Sequence, residues 1–284
     1  MKRIGVVGCG LMGSGIAEVT AGAGAQVIVI ESDDEALAHG RRRIDTSLAH
    51  AVSSAKLTDE DAARIQGNLT FSTNIADLAD REMVIEAIAE NEALKLDVFR
   101  RIDEAIADPS AILATNTSSI PIITLAMATK RPQRVIGMHF FNPVPVLRLV
   151  EVISSLRTSD ETTARTIEYA SQVLGKKVIT APDRAGFVVN ALLIPYLLSA
   201  IRMVEAGYAS AEDIDTGMVE GCAHPMGPLA LTDLIGLDTT LAVAESLYDE
   251  FKEPHLAPPP LLSRMTAAGL LGRKSGEGFF SYRQ

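Results

Sequence analysis

With 284 residues the chain is long enough to bury a core in two modest domains or one large one. Its composition, 47% hydrophobic and 22% charged, is that of an ordinary globular protein. A formal net charge of -10 argues against a sequence-independent nucleic-acid binder, which needs a basic footprint, yet it leaves room for an anionic ligand held by local groups.

The first predicted strand is the apolar run Ile4 to Val7, followed by glycine-rich sequence, a helical stretch to about Ala23, and a second strand from Val27 to Ile30. From Ser32 to about Asp77 the pattern is mostly helical and strongly charged, with Arg41-Arg42-Arg43 inside it. Strands are then expected at Met83 to Ile85, Ala111 to Ala114 and Val135 to Met138, with helical sequence between them. Leu149 to Ile153 and Lys177 to Thr180 can add further strands. Strands alternating with helices predict an α/β, doubly wound, mainly parallel sheet. Near Ala181-Pro182-Asp183 the character changes, and a long apolar helical pattern interrupted by Pro195 begins at Phe187. The expected division is a dinucleotide domain over 1–182 and an all-helical C-terminal domain over 183–284, with Pro258-Pro259-Pro260 as a stiff loop inside it.

Gly8-Cys9-Gly10-Leu11-Met12-Gly13 reads G-x-G-x-x-G between the first strand and the first helix. Gly8 permits a sharp turn, Gly10 lets the backbone approach a pyrophosphate, and Gly13 lets helix and strand pack closely; the helix N-terminus offers its N–H groups to phosphate. Such a motif alone is weak, but its strand–helix–strand setting makes it strong and the fold Rossmann-type. Glu31, ending the second strand, is placed to accept from an adenosine ribose and to repel a 2′-phosphate, which favours NAD over NADP. Two plainer alternatives stand beside this: Glu31 as a solvated loop residue, and Arg41 to Arg43 as a solvated face or a 2′-phosphate contact. Cys9 and Cys222 have neither zinc-type nor redox spacing, and Cys9 reads as a small residue that fits the loop. Lys2 and Arg3 before an apolar stretch mimic a signal peptide, but Gly5, Gly8, Gly10, Gly13 and Gly15 break it. No run approaches the roughly 20 apolar residues of a membrane span, so a cytoplasmic protein with no membrane partner is expected.

In a doubly wound fold ligands sit at the carboxyl ends of the strands. Polar residues gather there: Glu86 and Glu90, then Asn116 to Ser119, then His139. Glu151 is a carboxylate inside the apolar run Leu149 to Ile153, costly to bury unpaired. If the intervening prolines turn the chain back, Glu151 pairs with His139, and the pair suits a hydroxyl oxidation: a neutral imidazole takes the hydroxyl proton and the carboxylate orients the ring. A purely structural His139 is the competing reading. Ser118 is read as a hydrogen-bond partner of the reacting oxygen or as a helix cap, and Asn116 as a contact to the nicotinamide end of the cofactor. Glu90 and Lys95 either line the cofactor or are helix-surface charges.

Taken in order, several blocks resemble the L-3-hydroxyacyl-CoA dehydrogenase family, bacterial 3-hydroxybutyryl-CoA dehydrogenases included. They are the opening glycine motif with Met12, Glu86-Ala87-Ile88 to Glu90, Asn116-Thr117-Ser118-Ser119, His139-Phe140-Phe141-Asn142-Pro143 and Leu149 to Ile153. Gly186-Phe187-Val188-Val189-Asn190, Pro225-Met226-Gly227-Pro228, Gly236-Leu237-Asp238 and Gly276-Glu277-Gly278-Phe279 complete the series. The resemblance covers essentially the whole chain. It implies His139 and Glu151 as catalytic pair with Ser118 and Asn190 assisting. It implies NAD held by the glycine loop, Glu31, Glu90, Lys95 and Asn116, with further contacts near Ser118 and Asn142. Ser53 and Lys56 match, loosely, the family's coenzyme A contacts, and a homodimer through the helical domain is implied. Two departures stand beside the junction: Ala185 where the family has Pro, and Ala191 where it has Arg.

The expected activity is interconversion of (S)-3-hydroxyacyl-CoA and 3-oxoacyl-CoA with NAD, in short-chain synthesis or β-oxidation. Same-fold alternatives are a dehydrogenase of a CoA-free hydroxy acid or carnitine-like substrate, and an NAD-binding protein without turnover.

Overall fold

In the computed structural model, which describes residues 1–282, the chain divides into two compact units, one ending at Arg184 and the other beginning at Ala185. The first opens with β1 (Arg3–Val7), α1 (Leu11–Gly22) and β2 (Gln26–Ile30), the crossover that the glycine motif predicts. There follow α2 (Asp34–Ser53), α3 (Asp59–Gly67) and β3 (Leu69–Ser72). The helix starts carry their own signals: Asp33 caps α2, and Thr58 with Asp61 forms a capping box on α3. β4 (Met83–Glu86), α4 (Glu92–Ala105), β5 (Ile112–Thr115), α5 (Ile122–Ala126) and β6 (Val135–Phe140) come next. The unit ends with β7 (Leu149–Ser154), α6 (Asp160–Glu168), whose end widens into a π-helical turn, and β8 (Lys177–Pro182).

All eight strands form one sheet in the order β3-β2-β1-β4-β5-β6-β7-β8. Only the β6–β7 pairing is antiparallel, so the expectation of a doubly wound, mainly parallel sheet holds. β4 and β5 are buried along their whole length, as a sheet covered by helices on both faces requires. A core of Ile4, Val6, Val29, Ile85, Ile136 and their neighbours packs beneath α1 and α2. β3 departs from the sequence reading, which took residues 32–77 as mostly helical. Four residues at a sheet edge, none of them fully buried, leave too short an alternation to stand out.

The second unit is helical, as expected: α7 (Val189–Glu205), α8 (Ala211–Cys222), α9 (Pro228–Ile235), α10 (Leu237–Phe251) and α11 (Pro260–Ala267). Its core gathers Ile194, Leu197, Leu198, Ile201, Leu229 and Leu247. Helix α7 runs unbroken through Pro195, because burial of Ile194, Leu197 and Leu198 on both sides outweighs one lost backbone bond. At the unit's start the Ala185 N–H donates to Glu250 Oε2 at 2.7 Å, a bond that a proline at this position could not make. Among the described residues no helix is long and apolar enough to cross a membrane, and no cluster of His, Cys, Asp and Glu is placed to hold a metal.

Candidate active site

The glycine loop leaves β1 with Gly8 at φ +92°, a conformation that L side chains rarely adopt; a Cβ there would press 2.7 Å from the Ala87 carbonyl oxygen. A Cβ on Gly13 would collide with the Gly8 carbonyl. At Gly10 the situation is opposite, for an added Cβ would meet no atom within 4 Å. Helix α1 starts at Leu11 with no side-chain cap, so its first N–H groups face that open space. Glu31, at the end of β2, braces the loop: Oε1 accepts the Cys9 N–H at 2.5 Å and Oε2 the Ser32 N–H at 3.1 Å. A carboxylate has further lone pairs with which to take a ribose hydroxyl. The Cys9 thiol is sealed beneath, and burial followed by the nearby Glu31 charge pushes its pKa up to about 12.

The ends of β4 and β5 carry a buried polar network. Glu86 and Lys95 are 0% and 1% exposed, and Lys95 Nζ donates to Glu86 Oε1 at 2.6 Å and lies 3.2 Å from Glu90 Oε2. Glu86 also accepts from the Ile88 N–H and the Thr115 hydroxyl, both at 2.7 Å. Lys95 is therefore no surface charge; it neutralises two carboxylates from below. Glu90 gathers the next loop. Its Oε1 accepts from the Thr117 hydroxyl, from the Ser118 and Ser119 N–H groups at 3.0 and 3.1 Å, and from Ser119 Oγ at 2.8 Å. Burial alone would raise the Glu90 pKa, but Lys95 and these donors outweigh it and hold the carboxyl below its usual value. Thr115 escaped sequence reasoning and Thr117 entered it only within the block Asn116 to Ser119, although Glu86 closing an apolar strand is a usable sign of a buried partner.

The antiparallel β6–β7 pairing sets His139 directly opposite Glu151. Their side chains meet with Nδ1 2.7 Å from Oε2, at 8% and 0% exposure. The Phe141 ring, centred 4.6 Å away, walls the imidazole. The conditional expectation of a turned-back chain is thus the geometry present. Asn116, just past β5, directs its Oδ1 to the Phe140 N–H at 2.8 Å, a bond within the protein that the expected nicotinamide contact did not foresee.

A groove of about 630 Å³ lies between α1, α2 and the segment after β6. Asn142 borders it, with Leu11 and Glu18 of α1 and His39, Arg42, Arg43 and Ser47 of α2. Burial raises the Glu18 pKa, partly countered by Ser47. Arg41 points elsewhere, over the Phe71 ring. Ser53 and Lys56 line no part of this groove: Ser53 donates to the His50 carbonyl at 3.0 Å at the end of α2, and Lys56 is exposed in the turn beyond. Distance along the helix explains the difference. The groove takes His39, Arg42, Arg43, Thr46 and Ser47 of α2, whereas Ser53, in line with Arg42 and Thr46 by periodicity, ends the helix about 10 Å beyond Thr46. Asn190 belongs to the second unit, in the first turn of α7.

Residues 3–184 match the family model described as 3-hydroxyacyl-CoA dehydrogenase, NAD binding domain, and residues 186–282 the corresponding C-terminal domain. A 3-hydroxybutyryl-CoA dehydrogenase of Mycobacterium tuberculosis is 58% identical over 282 residues, 99% of either chain. The crystal structure of M. tuberculosis FadB2 superposes with a TM-score of 0.99 at 57% identity, covering 100% of this chain and 99% of that one. The (S)-3-hydroxybutyryl-CoA dehydrogenase PaaH1 of Ralstonia eutropha gives a TM-score of 0.94 at 46% identity, with 100% of each chain covered.

Proposed function

The chain belongs to the 3-hydroxyacyl-CoA dehydrogenase family and is an NAD-dependent dehydrogenase; within that family we propose that it interconverts short-chain (S)-3-hydroxyacyl-CoA, 3-hydroxybutyryl-CoA foremost, and the 3-oxoacyl-CoA. The observation that carries this reading is the buried His139–Glu151 pair at the strand end beside the Ser118 loop. The open space at Gly10, the uncapped α1 N-terminus and Glu31 suit a dinucleotide's pyrophosphate and ribose. When bound, NAD supplies the acceptor or donor of the hydride at the substrate's C3.

The protein's own part is proton chemistry and placement. With Nδ1 on Glu151, Nε2 of His139 takes the proton from the C3 hydroxyl in oxidation and returns it to the oxygen in reduction. Glu151 fixes the tautomer and stabilises the imidazolium in the low-dielectric strand end. Ser118, in the loop shaped by Glu90, hydrogen-bonds the reacting oxygen. For the coenzyme A phosphates we assign the α2 face of the groove, Arg42, Arg43 and Ser47, in place of Ser53 and Lys56. Apolar side chains left exposed in the second unit, among them Leu192 and Leu234, support a homodimer, and two unpaired cysteines suit the cytoplasm.

The purified protein is expected to oxidise NADH with acetoacetyl-CoA and to turn over free acetoacetate poorly. Equal turnover of both would favour a CoA-free substrate. Arg43→Ala should raise KM for acetoacetyl-CoA about tenfold while Lys56→Ala leaves it nearly unchanged; the reverse result would restore Lys56 to the ligand site.

A further inference from the structure

The end of the strand that carries His139 is held by a contact the proton chemistry does not itself require. Strands β5 and β6 run in register from Leu113 opposite Val135 to Thr115 opposite Gly137. His139 lies beyond the last of these pairs, and there the Asn116 side chain continues the connection, its Oδ1 accepting the Phe140 N–H at 2.8 Å. The Asn116 backbone is anchored on the opposite neighbour, its N–H donating to the Glu86 carbonyl at 2.8 Å. One residue therefore ties together the ends of β4, β5 and β6, which lead to Glu90, Ser118 and His139.

We propose that Asn116 is a positioning residue whose carbonyl oxygen fixes the end of β6, and with it the place of the His139 ring relative to Ser118. The inference rests on reading His139 as the acid–base group. Phe140 is 2% exposed, so its N–H depends on a protein acceptor rather than on water. That donor dictates which way the amide faces: Oδ1 lies toward Phe140, and Nδ2 is left as the outward group, able only to donate. His139 is then located from two sides, by Glu151 of β7 through its ring and by Asn116 through the backbone of the next residue. General acid–base transfer depends steeply on such placement, since the imidazole must lie within hydrogen-bond reach of the substrate oxygen.

The two roles open to Asn116 separate chemically. Asn116→Asp keeps an acceptor for the Phe140 N–H and drops the outward donor, whereas Asn116→Ala drops both. Acetoacetyl-CoA reduction by NADH should show kcat reduced about 10- to 100-fold in Asn116→Ala, with KM and the Kd for NADH within about twofold of wild type. Asn116→Asp should recover most of that loss. Equal losses in both variants, with NADH affinity falling in step, would make the outward amide a direct cofactor contact and overturn the proposal. Hydrogen exchange of the wild-type protein with NADH tests the contact even if Asn116→Ala fails to fold. The Phe140 amide should be strongly protected, and remain so in Asn116→Asp; rapid exchange in wild type would overturn the proposal. A wild-type protein inactive on acetoacetyl-CoA would refute the assigned reaction, while the exchange measurement would still decide the Asn116 contact.

Discussion

The glycine loop after β1 and the polar ends of β4 to β7 occupy the same edge of one sheet, yet they are built on different principles. The loop works through backbone: Gly8 supplies a positive φ, Gly13 a close approach, Gly10 an open space, and N–H groups face it. The later strand ends work through side chains that find one another across 9 to 29 residues of sequence, Lys95 on Glu86 and Thr115 on Glu86 among them. A backbone site tolerates almost any chemistry at its variable positions but no added atom at Gly8 or Gly13. A side-chain network tolerates neither the loss of a partner nor its neutralisation, because each buried charge is satisfied by the others.

That contrast can be broken at its strongest point first. His139→Ala should lower kcat for acetoacetyl-CoA reduction about 10²- to 10⁴-fold while NADH still binds, since the change removes the proton carrier and leaves the loop intact. A wild-type rate in that variant would remove the catalytic assignment. Next in size, Lys95→Met leaves Glu86 buried without its cation and should cost about 3–5 kcal/mol in urea unfolding. A near-neutral result would mean that the Ile88 and Thr115 donors alone suffice for the carboxylate.

On the loop side, Gly8→Ala forces a side chain into the left-handed region and against Ala87, at a cost of about 1–3 kcal/mol. Melting temperature and NADH affinity should fall together there, whereas in His139→Ala turnover should fall while NADH affinity stays near wild type. The smallest effect sharpens the network. The Glu90 carboxyl sits below its ordinary 4.5 in the folded protein, so the stability it contributes is fully present above that value and is lost as pH falls through the folded value. Glu90→Gln should flatten this limb of the acid-unfolding profile, measured by urea midpoint against pH; an unchanged limb would assign acid sensitivity to other carboxylates.

The sequence was most legible where neighbours in the chain are neighbours in space. The Gly8–Gly13 motif, the alternation of strands and helices and the helical second unit all rest on local geometry. They were readable because turn conformation and periodicity are local properties. β3 was lost in a charged helical stretch because four edge residues, none fully buried, carry little pattern. A loose match along the chain points to Ser53, whereas the α2 lining of the groove ends at Ser47, about 9 Å before it along the helix. For Asn116 the sequence suggests a cofactor contact; that its Oδ1 also takes a backbone N–H 24 positions away is visible only in the fold.

By itself, then, the sequence determined a dinucleotide loop, a doubly wound sheet and a polar edge holding one imidazole and several carboxylates. Only the tertiary structure decided which of them meet. Antiparallel pairing of β6 with β7 puts Glu151 on His139, burial drives Lys95 between Glu86 and Glu90, and Asn116 spans the gap between β5 and β6. The physical reason is common to all three. A charge or amide removed from water must find its complement wherever the fold brings one, and strand order, which no local pattern encodes, determines what is within reach.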